Sequence, residues 1–273
     1  MRITRPQSFQ KTANLLPSAI GLTSTQTSLL AGICMSVISC VASATPYYYV
    51  DWTTANASAG SASGVITLPD SSTVNVGFQA YNANGSPGNL DFAQTSGGTN
   101  FWNPSTPYIS SQVSNAPPGT DIIALIGGQN ETYVVTLSAA IKDPIMAIVS
   151  LGQPGVTTTY DFDSPFTIVS QGTGYWGGTS AATCLAIPAN CSLKELPGDI
   201  LQGNEGHGTI QFIGTFSTFS WTVPTPENWH GFTFGIRTTE ALEPGNPIPE
   251  PASIALMGLG LAGLAFQRRR RSS

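Results

Sequence analysis

Residues 72–80 of this chain read Ser72-Thr-Val-Asn-Val-Gly-Phe-Gln-Ala80, with Val74, Val76, Phe78 and Ala80 at every second position. Side chains two residues apart on a β-strand point to the same face of the sheet. The alternation therefore predicts a strand with one face buried in a core and the other exposed to solvent.

The same alternation recurs through residues 45–248, which otherwise contain no long amphipathic helix and no repeat of fixed period. Its other instances are Thr132–Leu137, Ile210–Phe212, Phe219–Val223 and Phe232–Ile236. Denser apolar runs at Ile122–Ile126 and Ile145–Val149 are typical of central strands. Turn-forming residues are concentrated at 68–72, 82–88 and 152–155. We therefore predict an all-β fold, a single antiparallel β-sandwich or jelly-roll domain spanning residues 45–243.

Charge is distributed unevenly along the 273 residues. Residues 45–248 contain three basic and fourteen acidic residues, a formal charge of −11, although the whole chain carries −5. A domain with so few Lys and Arg residues cannot neutralise a phosphate backbone, so we expect no nucleic-acid partner.

The first 44 residues have the three parts of a secretory signal. Arg2, Arg5 and Lys11 are followed by an apolar run at residues 29–41 and then by Ala42-Ser-Ala44. This order predicts a signal helix that signal peptidase removes after Ala44, with Ala42 and Ala44 forming the small-x-small site. An alternative is that Val37-Ile-Ser-Cys40 is a lipobox, in which case Cys40 would be lipidated.

The C-terminus begins with prolines, continues with an apolar segment and ends with arginines. Residues 244–248 form a stiff Pro/Gly linker, residues 249–251 are Pro-Glu-Pro, and residues 252–266 are an apolar run. We predict a transmembrane helix over this run, with the following arginines on the cytoplasmic side. Everything before the prolines would then face outward.

This tail, residues 249–273, resembles the PEP-CTERM sorting signal of Gram-negative bacteria, which is also catalogued as the ice-binding protein C-terminal domain. The resemblance implies recognition by an exosortase and transient anchoring in the inner membrane. It further implies cleavage near Pro249 to Pro251 and release to the cell surface or extracellular polymer. The residues assigned to sorting are Pro249, Glu250, Pro251, Arg268, Arg269, Arg270 and Arg271.

The body of the chain resembles other secreted PEP-CTERM proteins, which are thought of as sandwich domains of unassigned function. Residues 203–222 and 229–236 carry this resemblance. It supplies no active residues, so what the body does must be inferred from its own side chains.

The body of the chain contains few candidates for catalytic or metal-binding residues. Cys184 and Cys191 predict a disulfide in an exported domain, with two free thiols as the alternative. Asp161 and Asp163 are candidate Ca²⁺ ligands, and we expect no other cofactor or metal. The two histidines, His207 and His230, lack the spacing of a zinc site and are interpreted as turn or rim residues. The alternative is a metal site in which His230 pairs with Glu205 or His207 across the sheet.

No serine, histidine and acid combination in the body indicates catalysis. Ser180 lies in a Gly-rich loop without an evident base, so we predict a protein that is not an enzyme. A secreted hydrolase with a cryptic site is retained as an alternative, and a cleft containing Asp161, Asp163 and one histidine would favour it.

Aromatic residues in loops are the clearest indication of binding. The candidates, each flanked by Gly, Asn, Pro or Thr, are Trp102, Tyr175, Trp176 and Trp229. Such rings can stack on sugars, which predicts an extracellular polysaccharide as ligand, or they can plug the ends of the sandwich. Ice binding is a further alternative, but Thr157-Thr-Thr159 would direct its side chains to alternate faces.

Overall fold

The computed structural model describes residues 46–128 and 131–237, and nearly half of these residues lie in β-strands of two antiparallel sheets. Within these ranges the only α-helix is α1, Ala181–Ala186, and short 3₁₀ turns occur at Ala57–Ala59, Thr106–Tyr108 and Pro188–Asn190. The strands in chain order are β1 Tyr48–Tyr49, β2 Asp51–Asn56, β3 Ser61–Thr67, β4 Thr73–Tyr81, β5 Phe92–Gln94, β6 Ile122–Leu125, β7 Thr132–Lys142, β8 Ile145–Leu151, β9 Thr158–Phe162, β10 Phe166–Gln171, β11 Leu193–Leu196, β12 Ile200–Gly203, β13 Gly206–Phe212, β14 Thr215–Thr222 and β15 His230–Ile236. The prediction of an all-β sandwich is confirmed.

Eight of the strands pair as the two arms of one long hairpin that has been rolled up. β6 pairs with β15, β7 with β14, β8 with β13, and β9 with β12, all antiparallel. Successive strands of each arm alternate between the two sheets. The seven-stranded sheet therefore runs β10-β13-β8-β15-β6-β5, with β1 as its seventh strand paired to β15. The eight-stranded sheet runs β11-β12-β9-β14-β7-β4-β3-β2. This winding is that of a jelly roll.

The main core fills the space between the two sheets and is largely aromatic. Phe78 and Trp221 of the eight-stranded sheet lie 5.3 and 5.2 Å, centroid to centroid, from Phe232 of the seven-stranded sheet. Phe162 approaches Phe212 in the same way, at 5.1 Å. Each such ring buries a large apolar area, so these cross-sheet contacts contribute much of the stability of the sandwich.

A second, smaller core covers the outer face of the seven-stranded sheet. Alternate residues of the Ile145–Val149 run pack there against Trp102 and Tyr108, which lie in the long segment between β5 and β6. The intervening residues, Met146 and Ile148, face the main core. β8 is therefore buried on both sides, which explains why its sequence is apolar without interruption.

The predicted signal peptide (residues 1–44), linker (244–248) and sorting tail (249–273) lie outside the described residues. The predictions for Ala42, Ala44 and Cys40, and for the transmembrane helix, fall in these segments. Among the residues that are described, no helix has the length and apolar character needed to cross a membrane.

Candidate functional site

Two glutamate–histidine pairs lie at the end of the seven-stranded sheet where β6 and β8 finish and β13 and β15 begin. Oε1 of Glu205 lies 3.3 Å from Nε2 of His207, and Oε1 of Glu227 lies 2.8 Å from Nδ1 of His230. Both histidines are fully buried within strands, so the interpretation that they are turn or rim residues is wrong. His230 pairs with Glu227, a residue that the sequence did not single out.

The Glu205 pair is held by two residues in left-handed backbone conformations. Ser150 in β8 has φ +58°, and Glu205, between β12 and β13, has φ +54°. Such conformations are uncommon for residues other than glycine and are often found where the backbone positions a site. Here they let Ser150 Oγ donate a hydrogen bond to Glu205 Oε1 at 2.6 Å.

The proton on His207 can be assigned from its neighbours. The backbone N–H of Ser150 donates to Nδ1 at 3.3 Å, so a neutral ring carries its proton on Nε2, which faces Glu205. The approach of Nε2 to Glu205 lacks hydrogen-bond geometry, so it is a close polar contact only. The Tyr108 hydroxyl also lies 3.5 Å from Nδ1, and burial raises the pKa of that hydroxyl.

The Glu227 pair ties the loop before β15 to the end of β8. Glu227 Oε1 accepts hydrogen bonds from the Gly152 backbone N–H and from His230 Nδ1, both at 2.8 Å. The ring of Tyr160 meets His230 edge-on, with the centroids 5.1 Å apart. Burial, followed by the negative charge of Glu227, raises the pKa of Tyr160, which therefore stays neutral beside this pair.

Three of the four predicted aromatic residues come together near these pairs. Tyr175 and Trp176 are adjacent in the turn between Gly174 and Gly177, and Tyr175 meets Phe101 at 5.2 Å between centroids. Trp229 lies 6.5 Å from Trp176. Tyr175 and Trp176 are 41% and 53% exposed, which is unusual for large aromatic side chains.

The fourth aromatic residue, Trp102, is not part of this surface. It is 2% exposed, it packs edge-on against Tyr108, and its Nε1 donates a hydrogen bond to the Asp121 carbonyl at 3.1 Å. Trp102 is a core residue, and its prediction as a ligand-binding residue is corrected accordingly.

The turn that carries Tyr175 and Trp176 rests directly on His207. A Cβ atom at Gly174 would lie 2.2 Å from the imidazole ring, and the Gly172 N–H donates to the His207 carbonyl at 3.1 Å. The His207 ring therefore packs against the turn that carries Tyr175 and Trp176, and its Nε2 faces Glu205.

Trp176, Trp229 and the two glutamates line one cleft with a volume of about 290 Å³, whereas Tyr175 does not line it. Its walls are formed by Ser150, Gln153, Pro154, Trp176, Glu205, Glu227, Asn228 and Trp229. Apolar rings, amides, a hydroxyl and carboxylates thus meet in one concave surface, which is the usual composition of a small-molecule site.

The remaining candidates lie elsewhere. Asp161 and Asp163 are exposed and do not line the cleft, and Asp163 accepts hydrogen bonds from Ser220 and Ser164. Among the described residues no group of three or more His, Cys, Asp or Glu side chains is arranged to hold a metal ion. Ser180 is the N-cap of α1, where its hydroxyl accepts the Thr183 N–H.

Two further sequence patterns have a definite place in the structure. Cys184 and Cys191 form a disulfide that closes the segment containing α1, with their Cα atoms 4.6 Å apart. In Thr157-Thr-Thr159, Thr158 is fully buried in β9 and Thr157 is exposed. These three residues therefore do not form the continuous exposed row of threonines considered for ice binding.

Comparison with known proteins adds one finding. The family model of the PEP-CTERM protein-sorting motif matches residues 247–271. The PEP-CTERM motif implies that the chain is exported and is sorted by an exosortase at the membrane toward the cell surface. No curated protein and no solved structure matched the chain, so the activity of the jelly roll must be inferred from its cleft.

Proposed function

We propose that this protein is an exosortase-sorted surface protein whose non-catalytic jelly roll binds carbohydrate in the cleft between Trp176 and Trp229. One observation carries the proposal. Aromatic residues from separate loops, selected from the sequence for their loop context, converge beside a cleft lined by Ser150, Gln153 and Asn228. Indole rings can pack on the C–H faces of sugars while amides and hydroxyls bond the sugar hydroxyl groups.

The arrangement of Ser150, Glu205 and His207 supports binding rather than hydrolysis. In a serine–histidine hydrolase the serine hydroxyl donates to the histidine that removes its proton. Here Ser150 Oγ donates to Glu205, and His207 Nδ1 contacts the Ser150 backbone N–H instead of the hydroxyl. The three side chains therefore act as a support for the cleft wall.

The proposed path to the surface follows from the two ends of the chain. The signal peptide would deliver the jelly roll across the inner membrane, and the PEP-CTERM tail would anchor it there until the exosortase acts. Binding of extracellular polysaccharide would then take place after release.

The carbohydrate proposal is tested by measuring binding of the full-length chain to a panel of oligosaccharides. Trp176→Ala and Trp229→Ala are each expected to weaken binding by about tenfold or more, because loss of an anchoring aromatic commonly costs over 1.4 kcal/mol. Tyr81→Ala is a matched control, since Tyr81 is also an exposed aromatic residue (36%) but does not line the cleft. Absence of binding to every saccharide, or equal binding by both tryptophan variants and the parent, would exclude the proposal.

A further inference from the structure

The two cleft glutamates each retain one carboxylate oxygen without a protein partner. Every side-chain hydrogen bond and close polar contact of Glu205 and Glu227 within the described residues uses Oε1. Their Oε2 atoms accept no hydrogen bond there, although the residues are only 9% and 8% exposed and line the cleft. Burying a carboxylate this far from water costs free energy unless a hydrogen-bond donor or a cation faces it.

No Lys or Arg of the described residues supplies that charge. Lys142 ends β7, Lys194 lies in β11, and neither lines the cleft. Arg237 is engaged elsewhere, stacked over the Tyr47 ring at 4.8 Å and donating to the Gln112 carbonyl. Of the described side chains that can carry positive charge, only His207 and His230 approach these carboxylates, and both contact Oε1. Each Oε2 therefore still lacks a cationic partner among the described residues.

A metal ion fits this cleft less well than an organic cation does. Ca²⁺ takes six to eight oxygen ligands, whereas the described residues contain no group of three acidic, histidine or cysteine side chains placed to hold a metal. Two walls of the cleft are instead the indole rings of Trp176 and Trp229. Indole faces attract organic ammonium groups as well as the C–H faces of sugars.

We propose that the cleft selects a saccharide bearing a free ammonium group, as glucosamine residues do. The inference rests on the proposed carbohydrate function and specifies its ligand class. The ammonium group lies between Glu205 and Glu227 and donates to their Oε2 atoms, while the sugar ring packs against Trp176 and Trp229. Uronic acids and other anionic sugars are repelled by the same carboxylates and by the charge of −11 on residues 45–248.

The test compares three ligands of equal length by isothermal titration calorimetry. They are a glucosamine oligomer with free amines, its fully N-acetylated counterpart, and a neutral glucose oligomer. The full-length chain is used, in a detergent whose headgroup is not a sugar. We expect the free-amine oligomer to bind about tenfold tighter than either of the others, the difference that a charge-assisted hydrogen bond supplies. This preference should shrink as salt concentration rises.

Two variants test whether the preference for the free-amine oligomer arises from the two glutamates. Glu227→Gln and Glu205→Gln each keep an Oε1 acceptor for the protein contacts and are expected to reduce the preference by about tenfold. Asp199→Asn is the matched control, because Asp199 is an exposed acid outside the cleft and loses the same charge. Thermal unfolding of each variant shows whether it is folded at the assay temperature. If a variant does not fold, the comparison of the three oligomers on the parent chain still tests the ammonium assignment.

The outcomes separate this inference from the proposed function. Equal binding of the free-amine, N-acetylated and neutral oligomers would overturn the ammonium assignment and leave carbohydrate binding intact. If the protein bound none of the three oligomers and no member of the wider panel, both the ammonium assignment and the carbohydrate proposal would be excluded. A CaCl₂ titration provides the last arm, since Ca²⁺ binding that is lost in Glu227→Gln and competes with the oligomer would assign the carboxylates to a metal ion.

Discussion

Asp121 shows how a single carboxyl group balances burial against a backbone hydrogen bond. Its Oδ2 accepts the Trp52 N–H at 2.8 Å. Burial raises the pKa of Asp121 above its usual value, the hydrogen bond from Trp52 lowers it, and the nearby charge of Asp51 raises it further, with a net upward direction. A carboxyl whose pKa is raised by folding opposes folding when it is ionised, and this opposition disappears as the pH falls through the folded-state pKa.

Asp121→Asn is therefore expected to stabilise the protein at pH 7, because the Asn carbonyl can still accept the Trp52 N–H without carrying charge. The gain should be under about 1 kcal/mol, since the carboxyl is partly exposed and water screens its charge. Urea unfolding at steps from pH 7 down to about pH 4 should show the gain shrinking as Asp121 protonates. Asp121→Ala removes the acceptor and should cost about 1–2 kcal/mol. A loss of stability in Asp121→Asn at pH 7 would contradict this account.

At the same scale, the sequence predicted two of the eight residues that line the cleft, Trp176 and Trp229. Tyr175, Trp176 and Trp229 could be selected because aromatic residues among Gly and Asn have no strand partner to bury them. Glu227 could not be selected, since an acid in a turn is ordinarily solvated, and Glu205 was considered only as a partner of His230 in a metal site. Their burial depends on His207 and His230, whose strands and pairing are fixed only by the tertiary structure. The short spacings of Glu205 to His207 and of Glu227 to His230 were the local indications of such pairs.

The strands show where period-2 alternation is informative and where it is not. Residues 72–80 correspond to β4, and the predicted face is buried throughout. β10 was not predicted, because Phe166–Gln171 is of intermediate exposure at nearly every position and so shows little alternation. The four-residue strands β11 and β12 are too short for a period to emerge. Edge position and length, rather than composition, account for these omissions.

The close approach of β10 to β13 depends on a glycine. A Cβ atom at Gly208 would lie 2.3 Å from the backbone carbonyl oxygen of Ser170, which cannot rotate away as a side chain can. Gly208→Ala is therefore expected to separate these strands and to cost about 1–3 kcal/mol of the free energy of unfolding, measured by urea denaturation.

A neighbouring glycine provides the control for that measurement. At Gly172 an added Cβ would meet Pro107 at 3.5 Å, an ordinary contact, and the backbone φ is not in the left-handed region. Gly172→Ala should thus change stability by much less. Equal stability of the Gly208→Ala and Gly172→Ala variants would show that the close approach of β10 and β13 does not require glycine at position 208.

For the molecule as a whole, the sequence indicates a sandwich but leaves its winding open. The jelly roll requires β6 to pair with β15, and their paired residues, such as Leu125 and His230, are far apart in the chain. Local alternation specifies which residues face a core, but it does not specify which strand lies beside which. The match of cross-sheet aromatic residues, such as Phe78 with Phe232, becomes visible only once the strands are placed.

The PEP-CTERM motif leads to a prediction about the fate of the whole chain. Because residues 247–271 match the sorting motif, replacement of Pro249, Glu250 and Pro251 by alanine should abolish exosortase recognition while leaving the apolar run and the arginines in place. The apolar run is expected to hold the uncleaved chain in the membrane, since the following arginines disfavour its passage outward.

The measurement is fractionation of the producing cells, followed by mass determination of the released and membrane-bound forms. Pro244→Ala is the matched control, because Pro244 precedes the matched residues. We expect the control to be released like the parent chain and the triple variant to remain full length in the membrane fraction. Release of the triple variant in the same amount and with the same C-terminus as the parent would show that residues 249–251 do not direct sorting.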